Sequence, residues 1–148
     1  MEKALSMHSL LEPVREACSA THVKFEEAKK LLENLVDTDT IIDYYISTGP
    51  FPLRQDVLLD IFILSPSCLY NLEIRRPVSL CHRLFLDQLS LIEERPEMEK
   101  DGEYYIVYCL FAGTHDIMIR EKASNRDDAE KFCSKIKDAV IAVRQLKR

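Results

Sequence analysis

The sequence predicts an α+β fold: a helical segment, then seven short antiparallel strands, then one long C-terminal helix. Three patterns carry that prediction. Apolar residues recur at helical spacing over residues 1–36, at a spacing of two from Asp37 to about Ala123, and again at helical spacing from Ser124 onward. The length, 148 residues, suits a compact core, and 47% apolar content excludes a disordered chain. The expected division is an N-terminal helical extension over 1–36 and a main domain over 37–148.

In the first segment Ala4, Met7, Leu11, Val14, Cys18, Thr21, Phe25, Ala28, Leu32 and Leu35 form a seam at 3,4 spacing. Pro13 interrupts it, since proline removes an intrahelical donor and clashes with the preceding turn. The segment is either one kinked helix or two helices meeting near Pro13 or near Ser19–Thr21. The seam either packs on the rest of the chain or is a helical surface for self-association, at most as a homodimer, or for a partner helix.

The middle segment reads as strands Thr40–Ser47, Asp56–Leu64, Cys68–Ile74, Ser79–Leu86, Gln88–Glu94, Glu103–Ala112 and His115–Lys122, rich in β-branched and aromatic residues. Turn chemistry separates them: Thr48-Gly49-Pro50, Ser65-Pro66-Ser67, Arg75-Arg76-Pro77, Asp101-Gly102 and Gly113-Thr114. Links this short imply an antiparallel meander, because parallel crossovers need a dozen or more residues. Glu93, Glu94, Glu97, Glu99 and Asp101 read as a solvated polar turn. In the last segment Ser124 or Asn125 offers an N-cap. Ala129, Phe132, Cys133, Ile136, Val140 and Val143 make one apolar stripe, and Arg144, Lys147 and Arg148 complement the dipole at its end.

The run VLLDIFILSPSCLYNLEI resembles the second and third strands of pleckstrin-homology-like (PH-like) and GRAM-type domains, and SNRDDAEKFCSKIKDAV resembles their terminal helix. The resemblance spans about residues 38–147 and rests on element order and degenerate patterns. Many such domains carry a tryptophan in the terminal helix; this chain has none, so Phe132 or Ile136 would fill that space. The resemblance implies a seven-stranded barrel or sandwich capped by the terminal helix. It also implies a non-enzymatic module that binds a protein or peptide along a sheet edge. A small-molecule or enzymatic cup of cystatin-like or helix-grip type, and a weak phosphoinositide-binding adaptor, are the alternatives.

Composition narrows the partner. A formal charge of −5 disfavours nucleic acid, which needs clustered cations, and strong attraction to anionic membranes. No run approaches the roughly 18 apolar residues of a membrane span, and the −5 charge with only Arg54 in the first hairpin loop leaves weak contact with a membrane surface at most. Charges at Glu2, Lys3, Glu12, Arg15 and Glu16 break the apolar stretch that a secretory signal requires. Five widely spaced cysteines without a CxxC pair suit reduced thiols in the cytoplasm. The only candidate anion patch is Arg54, Arg75, Arg76 and Arg83, although a solvated turn is the better account of Arg75-Arg76 and strong headgroup binding is disfavoured. The scattered histidines make no metal motif, Cys81 and His82 should face opposite sides of a strand, and no constellation suggests catalysis. No catalytic residue, cofactor or metal is expected.

Overall fold

The computed structural model describes residues 5–36, 40–49, 56–98, 104–113 and 115–146. The chain divides into two compact units, residues 1–83 and 84–148.

In the first unit, α1 (Met7–Thr21) and α2 (Phe25–Leu35) precede β1 (Asp43–Ser47), β2 (Val57–Leu64), β3 (Cys68–Arg75) and β4 (Leu80–Phe85), the last running across the boundary. The four strands form one antiparallel sheet in chain order. Ser6 caps α1, its hydroxyl accepting from the Ser9 amide at 3.2 Å. Pro13 lies inside α1 without ending it. Loss of one hydrogen bond is outweighed by the burial of Leu10, Val14, Ala17 and Cys18, each large apolar side chain contributing about 1.5–3 kcal/mol. The break falls at His22, whose backbone is left-handed (φ 58°, ψ 30°), and the Val23 amide donates to the Cys18 carbonyl at 3.1 Å. That six-residue loop back is the Schellman motif, with buried Val23 and Cys18 as its apolar contact. Of the two break points expected, the one after Ser19–Thr21 lies nearer.

The seam faces the chain's own sheet. Val14, Cys18, Ala28 and Leu32 share a core with Leu59, Ile61 and Ile63 of β2 and Tyr70, Leu72 and Ile74 of β3. Its buried residues are therefore occupied within one copy. The sheet's other face buries Tyr45, Ser47, Asp60, Phe62, Leu64, Leu69 and Asn71. Burial on both faces is why β2 reads as a nearly continuous apolar run.

In the second unit, β5 (Leu91–Met98), β6 (Tyr104–Ala112) and β7 (His115–Lys122) form an antiparallel sheet ordered β5-β6-β7, followed by α3 (Arg126–Leu146). Gly113 takes φ +64° in the β6–β7 hairpin, a left-handed turn glycine adopts without strain. Helix α3 packs on β7 and on the 3-10 turn Leu86–Gln88, burying Ala129, Phe132, Cys133, Ile136, Ala139 and Val140.

The structure corrects two expectations. The seven strands form two separate sheets of four and three, not one closed barrel, because the 3-10 turn and Leu89-Ser90 intervene between β4 and β5. The fifth strand also starts and ends later than expected. It runs through Pro96 to Met98, so Glu93, Glu94 and Glu97 belong to a strand rather than a polar turn. Being at the sheet edge, β5 tolerates both a proline and a run of charges. Glu99 and Asp101 lie outside the described residues.

Candidate functional site

The described surface of the second unit has a groove where the start of β5 meets the last three turns of α3. Its volume is about 280 Å³, and it is lined by Leu89, Ser90, Ile92, Lys137, Val140, Ile141 and Arg144. The turn Leu86–Gln88 delivers Leu89 and Ser90 to this place, and the Ser90 amide and hydroxyl both donate to the Phe111 carbonyl, at 2.9 and 3.2 Å. On the helix, Lys137, Ile141 and Arg144 recur at four- and three-residue intervals and so share one flank. Val140 is buried at the edge of the helix's packed stripe, whereas Ile141 is 54% exposed, so the groove floor has an apolar surface open to solvent. The Arg144 Nη2 donates to the Leu89 carbonyl at 2.6 Å, tying the end of α3 to the approach of β5.

Beyond Lys137 toward the helix N-terminus lies a polar interior. The Tyr108 hydroxyl is buried with no hydrogen-bond partner among the described residues. Burial, together with the charges of Glu94 and Glu130, pushes its phenol up to about 12. Burial likewise pushes the Cys133 thiol up to about 12, with Lys137 opposing. Arg126 holds Glu130 at 3.2 Å on the surface above them. Both groups stay protonated at neutral pH, which disfavours nucleophilic chemistry at Cys133.

The first unit carries a polar row on one sheet face. Ser47 and Glu73 are the cross-strand partners of Asp60, and Asn71 donates to the Asp60 carboxyl at 2.7 Å. Glu73 lies 3.6 Å from His82 Nε2 and 3.7 Å from Arg75 Nη1. Cys81 packs into the core, so it and His82 occupy opposite faces as expected.

Of the sequence-nominated arginines, Arg75 donates through Nε and Nη2 to Asp56, and Arg76 reaches Glu27 of α2 at 3.0 and 3.2 Å. The two neighbours thus engage carboxylates in different places, Asp56 just before β2 and Glu27 on α2. Arg83 is exposed on β4, and Arg54 lies outside the described residues. Sequence reasoning missed the groove. Its one legible sign was Ile141, an apolar residue one position beyond the stripe, about 100° around the helix.

Among the described residues no group of three or more His, Cys, Asp or Glu is placed to hold a metal, and no helix is long and apolar enough to cross a membrane. No protein family, curated protein or solved structure matches the chain.

Proposed function

We propose that the chain is a non-enzymatic binding module, built on a PH-like scaffold, that holds an extended segment of a protein partner beside β5 and α3. The element order supports the scaffold: two antiparallel sheets of four and three strands, then a terminal helix. Five free thiols suit a protein of the reducing cytoplasm.

The groove is the observation that carries the function. At about 280 Å³ it falls just short of the roughly 300–1,000 Å³ typical of small-molecule sites. It has room for one or two apolar side chains. The adjacent β5 is an edge strand, and edge strands offer backbone donors and acceptors to an added strand. Pro96 lacks an amide hydrogen and limits such pairing to the earlier part of β5.

Selection from a displayed library of random peptides tests this reading on the full chain. Selected peptides should perturb the backbone amide resonances of 89–95 and 137–144, and Ile141→Glu should abolish binding while leaving the unfolding midpoint unchanged. A library that yields no binder, or binders that perturb only the β3–β4 region, overturns it. Membrane recruitment through Arg75 and Arg76 is the weaker reading, since each already pairs with a carboxylate. Sedimentation with phosphoinositide-containing vesicles should leave the protein in the supernatant at physiological salt.

A further inference from the structure

We infer that the segment held in this groove is acidic: an apolar anchor resting on Ile92 and Ile141, with a carboxylate on each side for Lys137 and Arg144. The inference rests on the peptide-binding reading above and adds the chemistry of the partner.

Local charge runs against the charge of the whole chain. The chain carries a net −5, yet among the described residues lining the groove are two cations and no carboxylate. Lys137 and Arg144 are seven residues apart on α3, so their Cα atoms are separated by roughly 10 Å along the axis, with the exposed Ile141 between them. The two positive charges thus bracket an apolar patch. A neutral apolar segment would gain nothing from either cation, and a basic one would be repelled.

Arg144 is already oriented. Its bond to the Leu89 carbonyl uses one of five guanidinium donors and leaves the others for a carboxylate, in an orientation that needs no further ordering. Apolar side chains line the space between the cations, which lowers the local dielectric and strengthens a pair formed there.

Acidic residues set the direction. Farther along the same strip Glu94 and Glu130 surround Tyr108 and Cys133. They repel an acidic segment from that end, so its carboxylates belong at Lys137 and at Arg144, on either side of the anchor over the start of β5.

Three fluorescent eight-residue peptides test this, each with a central Leu-Phe pair flanked by Asp, by Ser or by Lys. The Asp-flanked peptide should bind the full chain most tightly and weaken as salt rises, and the Lys-flanked one should bind least. Lys137→Gln and Arg144→Gln should each weaken the Asp-flanked peptide about three- to tenfold, and by clearly more than they weaken the Ser-flanked peptide. Glutamine is two bonds shorter than arginine and gives up the bond to the Leu89 carbonyl, so an unchanged unfolding midpoint has to verify the fold of each variant. Equal binding of the Asp- and Ser-flanked peptides, or indifference of the Asp-flanked peptide to both substitutions, overturns the acidic partner and leaves peptide binding standing. Failure of all three peptides to bind overturns both.

Discussion

Asp60 and Asn71 are polar side chains on a sheet face where only 1% and 3% of their surfaces remain exposed. Their 2.7 Å hydrogen bond crosses from β2 to β3 on the diagonal, so it forms only in the native register. Asn71→Leu removes the amide that serves the buried Asp60 carboxyl and should lower stability by about 1–3 kcal/mol. The Asp60→Leu/Asn71→Leu double variant should be less damaged than the single one, because it leaves neither polar group unserved. Urea midpoints of both decide the matter; a double variant that is the less stable would show that each residue acts through other partners. A second expectation concerns alkali. The Cys133 thiol, ordinarily near 9, and the Tyr108 phenol, ordinarily near 10, are both pushed up to about 12 in the folded chain. Between about pH 9 and 12 the unfolded chain therefore releases protons that the folded chain retains. The stabilisation is complete below that window and is lost as pH rises through it. The thermal midpoint should drop steeply above pH 9, and Cys133→Ala combined with Tyr108→Phe should flatten the slope. A slope that survives both changes would assign it to other groups.

At the scale of elements, the α1–α2 corner shows how a helix ends without glycine. His22 holds a left-handed backbone, a conformation that disfavours residues with a Cβ. His22→Gly should therefore raise stability, by up to about 1 kcal/mol after allowing for the greater freedom of glycine in the unfolded chain. A calorimetric midpoint that falls would mean the imidazole itself contributes. The absence of glycine also explains why the sequence left two break points open. β2, β3, β6 and β7 were legible because burial on one or both faces imposed apolar alternation or apolar runs. β5 was partly legible: an edge strand with solvent access can carry Glu93, Glu94 and Pro96, which in isolation resemble a turn. The groove was nearly illegible. Lys137 and Arg144 look like ordinary solvated helix residues until the fold sets Leu89 and Ile92 beside them.

At the scale of the whole molecule, the helices over 7–35 cover one face of the four-stranded sheet. Removing residues 1–36 uncovers Leu59, Ile61, Ile63, Tyr70, Leu72 and Ile74, which no short polar loop can shield. The truncated chain should aggregate or bind a hydrophobic dye strongly, whereas the full chain should remain monomeric by light scattering. Cooperative unfolding of a monomeric 37–148 fragment would refute this account of the helices. The sheet topology has a kinetic consequence as well. Every strand within a sheet pairs with a neighbour in the chain, so each ladder can zip from its own turn. Short loops cost little closure entropy, and topologies dominated by near-neighbour contacts cross low folding barriers. The bridge between Leu5 and Ile41 is an exception, closing a longer loop around both helices. Refolding should therefore be quick for a chain so rich in sheet, with that bridge among the later contacts to form.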